Sequence, residues 1–382
     1  MTDAMDQEAI IEAVDRFLEG EVRPYAHDLE ASDTYPTEIV EQMKEMGLFG
    51  CLIATEYGGL GLDTATYAKI MEHMSEVWMS LSGVINSHTI LANTVQRHGT
   101  PEQKSHYLPK FATGEVRGGV GLTEPDCGTD LQAIRTGAVR DGDDYVVNGS
   151  KTWITNSGTG NCIALLVKTD KSAEPRHKGM SLLIAEKGEG FEVTRKLEKM
   201  GYRGVDTCEL LFTDYRVPVD RLIGGVEGRG LQQILSGLEL GRINIAARGV
   251  GVAQAALNES VSYSQDRKTF GKPICEHQAI QLKLGEMATR VTAARLLTEN
   301  AAKAYDRGER CDMEAGMAKY FASEAAIDNS LEAMRIHGGF GYSREFNIER
   351  LYRDAPLLAI GEGTNEMQRI IIAKQLIERS RT

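Results

Sequence analysis

The chain has 382 residues, 42% of them hydrophobic and 26% charged, a composition that folds and is long enough for two or three packed domains. A formal net charge of −12 without a basic tail argues against nucleic acid as a partner. The longest apolar runs, Ile163 to Val167 and Ile370 to Ala373, are too short to span a bilayer. Asp3, Asp6, Glu8 and Glu12 fit neither a basic signal segment nor an Arg-rich transit peptide. The six cysteines (51, 127, 162, 208, 275 and 311) form no CxxC pair and no Cys/His ligand spacing. They read as reduced thiols in a cytoplasmic protein, without structural zinc.

Residues 1–118 read as a helical domain. Ile11, Val14, Leu18 and Val22 recur at three- and four-residue spacing on an acidic helix. A second helix begins near Pro36, buries Ile39, Met43 and Met46, and stops at Gly47. Thr100, Pro101 and Gln103 spell an N-cap, a first-turn proline and a capping-box partner. Residues 119–225 change texture. Asp141-Gly142 and Asn148-Gly149 are two-residue hairpin signals. The predicted strands are Tyr145–Val147, Lys151–Thr155, Cys162–Val167, Met180–Ile184 and Cys208–Phe212, the pattern of an antiparallel barrel. Residues 226–382 are helical again. Ile280, Leu284, Met287, Val291, Ala294, Leu297 and Ala301 form the seam of a four-helix bundle, with glycine breaks at 338–341 and 361–363. The fold class is α+β: helices, barrel, bundle.

Several residues could carry chemistry. Glu362 lies between Gly361 and Gly363 just before a helix. Apolar neighbours there would desolvate the carboxylate and raise its pKa, as a general base requires; a carboxylate serving the helix dipole is the alternative. The turn from Leu122 through Thr123 to Gly128, Thr129 and Asp130 offers hydroxyls and N–H groups to an anion or ring edge, or is simply a turn. Trp153 beside Thr155 is either core or a wall for a planar cofactor. Arg267 to Gly271 is a phosphate loop or a solvated helix end. Neither Gly249-Val250-Gly251 nor Gly338-Gly339-Phe340-Gly341 follows a strand and opens a helix, so a Rossmann site is unsupported. His88 and His277 lack a nucleophile elbow, and the aspartate groups at 126/130 and 141–144 lack a calcium loop, so no metal is expected.

Seven short segments in order resemble the acyl-CoA dehydrogenase family. They are Gly121-Leu122-Thr123-Glu124-Pro125 with Gly128-Thr129-Asp130; Asn148-Gly149 through Trp153-Ile154-Thr155-Asn156; Lys199-Met200-Gly201 with Arg203-Gly204; Arg216-Val217-Pro218; Arg267 to Pro273; His337-Gly338-Gly339; and Glu362-Gly363-Thr364. The resemblance implies the same three-domain fold, non-covalent FAD between barrel and bundle, and a homotetramer built as a dimer of dimers. It implies that Leu122, Thr123, Gly128 and Thr129 line the flavin, with Thr129 also near CoA. Trp153, Ile154 and Thr155 would pack on the isoalloxazine, while Arg267, Thr269, Gln278, Gly338 and Gly339 would hold the adenine-dinucleotide end across a subunit interface. Thr364 and Glu366 would also reach FAD, and Arg242 resembles a CoA-side arginine. Glu362 would remove the α-proton of a saturated acyl-CoA as the β-hydride passes to flavin, giving a trans-2-enoyl-CoA. The thioester oxygen would be held by the backbone N–H of the base residue and a flavin hydroxyl, and electrons would pass to electron-transferring flavoprotein. The isovaleryl-type subgroup takes its base from a position that here is Gly241, so that subgroup is disfavoured.

Three departures bear on the substrate. Gly361 replaces a common aromatic wall, which predicts room for a branched, cyclic or aromatic acyl group. A short or medium straight chain, or an oxidase that uses oxygen, are the alternatives. Arg335 stands where glutamine is common, two residues before His337, and is assigned to FAD. The segment Trp78-Met79-Ser80-Leu81 lacks the arginine of glutaryl-CoA dehydrogenases, which disfavours an acyl group with a distal carboxylate.

Overall fold

The computed structural model describes residues 4–381. Five helices lead the chain: α1 (Ala4–Phe17), α2 (Arg23–Ala31), α3 (Thr37–Glu45), α4 (Thr64–His98) and α5 (Pro101–Thr113), with a π turn at Leu18–Val22 joining the first two. Val14, Leu18 and Val22 of the first stripe are buried, and Ile11 packs against the same core. The turn after α3 puts Gly47 at φ +74°, the left-handed stop that its sequence predicts. The capping box of α5 is formed in both directions, Gln103 N–H to Thr100 Oγ1 at 3.2 Å and Thr100 N–H to Gln103 Oε1 at 3.0 Å.

The middle of the chain supplies β1 (Gly118–Gly121), β2 (Gly137–Asp141), β3 (Asp144–Thr155), β4 (Cys162–Lys168), β5 (Met180–Glu186), β6 (Phe191–Lys196) and β7 (Thr207–Pro218). They curl into one sheet of order β1-β4-β2-β3-β7-β6, with β5 paired to β4. The sheet is mixed where the hairpin signals predict an antiparallel one: β1 runs parallel to β4, and β2 meets β4 in parallel at Gly137 and Lys168. Those contacts join residues far apart in sequence, which turn chemistry cannot encode. The first hairpin signal is real but one residue out of phase, because Asp141 pairs with Asp144 around Gly142 at φ +62°. Asn148-Gly149 is no hairpin. It is a bulge inside β3, with a register shift between Val147 and Gly149, and a Cβ on Gly149 would lie 2.6 Å from Thr136 Cα. A bulge and a tight turn ask for the same glycine.

The last third holds α6 (Gly230–Asp266), the short pair β8 (Lys268–Thr269) and β9 (Lys272–Pro273), then α7 (Gln278–Asp306), α8 (Asp312–His337), α9 (Ile348–Ile360) and α10 (Asn365–Arg379). Met287, Val291, Ala294 and Ala301 of the α7 seam are buried, and Ile280, Leu284 and Leu297 pack at its edge. Helix α4 belongs to this core. It runs antiparallel to α6, with Gly237 against Ile90 and Thr94, Gly241 against Ile90, and Gly251 against Glu72, Ser75 and Glu76.

A Cβ at position 251 would lie 2.3 Å from the Glu72 carbonyl oxygen. Helix propensity alone favours Gly→Ala by up to about 1 kcal/mol, but backbone cannot yield to that overlap. Gly251→Ala should therefore destabilise the protein by about 1–3 kcal/mol, read as a lower urea midpoint at unchanged m-value; a raised midpoint would refute this packing.

Candidate active site

Helix α9 ends as Gly361 N–H closes on Leu357 O at 2.8 Å. Glu362 then takes φ +54°, Gly363 φ +88°, and Thr364 caps α10 by accepting Met367 N–H at 3.4 Å. A left-handed glutamate costs about 1–3 kcal/mol and persists only where its surroundings dictate it. Lys319 on α8 does so. Its buried ammonium donates to Ala359 O (3.2 Å), Gly363 O (2.9 Å) and Asn365 Oδ1 (2.9 Å), gripping the chain on both sides of Glu362. Gln368 Nε2 also donates to Gly363 O at 3.0 Å, and Ser323 Oγ to Asn365 Oδ1 at 3.1 Å.

The turn drives the Glu362 carboxylate inward. Oε1 accepts from Asn86 Nδ2 of α4 at 2.5 Å; Oε2 is buried without a partner. A Cβ on Gly241 would stand 2.1 Å from that Oε2, so the carboxylate fits because α6 has no side chain there. Positions 241 and 362 thus face one point from two helices. Burial raises the Glu362 pKa, opposed by the Asn86 hydrogen bond and by the charges of Arg248, Lys319 and Arg242. A desolvated carboxylate with one free oxygen can take a proton from a weak carbon acid. The backbone N–H of Glu362 makes no hydrogen bond among the described residues, leaving a donor beside the base.

Arg242, next to Gly241, is buried, with Nε and Nη1 unpartnered and Nη1 3.8 Å from Asp312 Oδ1. Burial and the neighbouring Asp312 push the Glu239 carboxyl up. Burial lowers the Lys319 pKa to about 8, opposed by the charges of Glu362 and Glu366.

The proposed flavin segments of the sheet lie together. Thr152 N–H donates to Thr123 O at 2.9 Å, joining the turn that holds Leu122, Thr123, Gly128 and Thr129 to β3. A buried ion pair underlies the join. Lys151 Nζ reaches Glu124 Oε1 at 2.8 Å and Leu122 O at 3.1 Å, while Glu124 accepts the N–H groups of Arg135 and Thr136. Trp153 sits at φ +62° inside a second bulge in β3, between Lys151 and Ile154, and is 59% exposed. A bulge that turns a large ring out of the core makes a wall for something flat. Ile154 is 1% exposed and packs inside the sheet, so it can reach a ligand only through its backbone. Thr155 is half-buried.

At the bundle end, a cavity of about 550 Å³ is lined by Arg267, Thr269, Gly338 and Gly339, with Tyr263 and His337 at its wall. Arg267 is exposed, and Gly338 and Gly339 leave open space where a Cβ would be. A guanidinium without an ion pair among the described residues, beside bare backbone, suits a phosphate. Gln278 opens α7, next to His277, which bonds the Thr269 hydroxyl at 3.1 Å. Arg335 is not in this wall; it is exposed and paired with Glu332. Glu366 is exposed and pairs with Arg369 at 3.2 Å. No hydrogen bond joins the sheet cluster to the bundle-end cluster among the described residues. Both fit a long dinucleotide, a ring wall in one and a phosphate cradle in the other. Asn86, Lys319 and Arg248 act on Glu362 and were not among the residues that sequence picked out. Asn86 had a faint signal, being one of a run of polar residues (Ser80, Ser82, Asn86, Ser87) in an otherwise apolar helix.

Three family profiles cover nearly the whole chain: the acyl-CoA dehydrogenase N-terminal domain over residues 4–115, the middle domain over 119–215 and the C-terminal domain over 228–377. The chain belongs to the acyl-CoA dehydrogenase family, FAD-dependent oxidoreductases acting on CH–CH donors. It is 39% identical over 374 residues to a probable acyl-CoA dehydrogenase of Bacillus subtilis, YngJ, covering 98% of both chains. It is 40% identical over 365 residues to a 3-(aryl)acrylate reductase of Clostridium sporogenes, covering 95% of this chain and 96% of the other. The solved butyryl-CoA dehydrogenase of Megasphaera elsdenii superposes with a TM-score of 0.95 at 34% identity, over 99% of each chain.

Lys319→Met should loosen the Glu362 turn and remove a charge that keeps its carboxylate ionised. The acid limb of kcat/KM should move to higher pH and kcat fall about tenfold or more, with flavin content retained. An unchanged pH profile would show that Lys319 does not act on the base.

Proposed function

We propose that the protein dehydrogenates an acyl-CoA thioester to the trans-2-enoyl-CoA, with Glu362 as the base. The observation that carries this reading is the Glu362 carboxylate, buried, with Oε2 free and seated on the bare backbone of Gly241. FAD, when bound, supplies the acceptor for the β-hydride. Leu122, Thr123, Gly128, Thr129, Trp153 and Thr155 would hold its ring; Arg267, Thr269, Gln278, Gly338 and Gly339 would hold its phosphate end, and Thr364 and Glu366 would approach it from α10.

Glu362 Oε2 receives the α-proton. Its raised pKa narrows the gap to that very weak acid, and Asn86 keeps the other oxygen from rotating away. The Glu362 N–H, free of other duty, donates to the thioester oxygen as negative charge gathers there. Arg242 and Thr129 face the CoA side. Enclosure by α4, α6 and α8 keeps water from the carboxylate.

Gly361 supports a wide acyl pocket. Its φ of −69° suits any residue, and a Cβ there would meet nothing but Leu357, at 3.3 Å and beyond. The backbone thus does not require glycine, and no side chain but that of Leu357, at 3.8 Å, comes within 4 Å of that Cβ. A branched, cyclic or aromatic acyl group is the substrate proposed. The similarity to a butyryl-CoA enzyme favours a short straight chain as the second reading. Electron-transferring flavoprotein is the proposed acceptor and the cytoplasm the proposed location. A homotetramer is proposed, supported by exposed apolar residues on the bundle, among them Phe270, Leu282, Leu296 and Tyr342.

The test is anaerobic bleaching of the bound flavin by a panel of straight, branched, cyclic and aryl acyl-CoAs. Bleaching by a bulky member and a Glu362→Gln variant that binds flavin but does not bleach would agree with the proposal; an active Gln variant would overturn it. Gly361→Tyr should cut kcat/KM for bulky thioesters about tenfold or more against butyryl-CoA, whereas an unchanged ratio would remove Gly361 from the pocket.

A further inference from the structure

Arg248 on α6 is 1% exposed, and its Nε and Nη2 have no hydrogen-bond partner. Among the described residues no carboxylate pairs with it; its near neighbour is the Tyr202 ring, 4.9 Å from the guanidinium carbon. A buried charge without a counter-ion is costly. The two acids that share its surroundings do not hydrogen-bond it, although each keeps one oxygen unpartnered, Asp354 Oδ2 and Glu362 Oε2. Asp354 accepts Tyr202 N–H at 2.5 Å and feels the charges of Arg350 and Arg353, and Glu362 holds Asn86.

The helices say where this guanidinium lies. Gly241 and Arg248 are seven residues apart, two turns along one face of α6 and about 10 Å along its axis, and the carboxylate of Glu362 rests on Gly241. Helical side chains lean toward the N-terminus, so Arg248 leans toward the base, whose pKa its charge helps lower. Against α4, Gly241 is level with Ile90 and Gly251 with Glu72 to Glu76, which sets Arg248 level with about residues 77–80. The Tyr202 hydroxyl lies within about a turn of that level, since a Cβ on Gly83 would lie 1.7 Å from it.

We propose that Arg248 is a specificity-determining residue that binds a carboxylate on the acyl chain, so that, of the acyl groups a wide pocket admits, the substrate is a short, branched dicarboxylic one. The missing arginine at Trp78 to Leu81 then does not disfavour such a substrate, because α6 supplies a guanidinium at the level where α4 lacks one. The 10 Å of helix, more than half of it spanned by the arginine side chain, sets a separation that matches about two or three carbons beyond the α-carbon. A bidentate carboxylate satisfies both orphaned N–H groups, the Tyr202 hydroxyl stands beside it, and the open side at Gly361 admits a branch.

This rests on the reading of Glu362 as base for an acyl-CoA. The test compares kcat/KM of the FAD-loaded full-length enzyme for butyryl-CoA with those for succinyl-CoA, its methyl-branched form and glutaryl-CoA. At least one carboxylated thioester should exceed butyryl-CoA about tenfold or more. Arg248→Gln should lower that ratio about 30-fold or more, chiefly through KM, and Arg248→Lys should recover part of it. Wild-type preference for butyryl-CoA would overturn the proposal while leaving the dehydrogenase reading intact. So would an Arg248→Gln variant that loses both substrates equally, which would make Arg248 a tuner of the base. No reaction with any thioester would overturn both readings. Should the variant not fold, the wild-type preference decides.

Discussion

An ionisable carboxyl stays in an apolar interior only when its surroundings are built around it, and at Glu362 three helices share that task. Helix α6 withdraws its side chain at Gly241, α4 offers Asn86, and α8 sends Lys319 to grip the backbone on either side. Each contribution is needed for a different reason: space for the oxygens, one hydrogen bond to orient them, and a clamp that holds a left-handed glutamate. Desolvation then raises the pKa, while Arg248, Lys319 and Arg242 stop it rising without limit.

The same logic explains the polar content of the helical core. Asn86, Arg242, Arg248 and Lys319 are all buried, and a core made for stability alone would replace them with apolar side chains at no loss. Lys319 is fully hydrogen-bonded to the turn, whereas Arg242, Arg248 and Glu362 keep orphaned polar atoms. The satisfied residue holds the frame; the unsatisfied ones are those that the proposed substrate would complete. The Lys151–Glu124 pair plays the frame role in the sheet, joining the Thr123 turn to the strand that presents Trp153.

Local signals in the sequence were legible where the physics is local. The α5 capping box, the Gly47 stop and the α7 seam depend on residues within a few turns of each other, and all appear as read. Glu362 was legible because two glycines bracket a lone carboxylate before a helix. The parallel β1–β4 contact and the partnership of α4 with α6 were not, since they join segments more than 40 residues apart. Asn148-Gly149 failed for another reason, a bulge and a turn sharing one backbone requirement. Lys319 could not be singled out because a lysine in a helix usually ends in solvent; only the fold shows that its amine ends on carbonyls. Motif order carried the family and the fold, while Ile154 and Arg335 show that motif membership does not fix where a side chain points.

The proposed chemistry turns on Glu362 as the group that takes the α-proton. The most direct measurement is exchange of the α-hydrogens of bound acyl-CoA into D2O under anaerobic conditions, followed by mass spectrometry across pH. The prediction is enzyme-catalysed exchange whose acid limb lies above the ordinary glutamate range, as burial of the carboxylate requires. Exchange that proceeds equally in Glu362→Gln would contradict it.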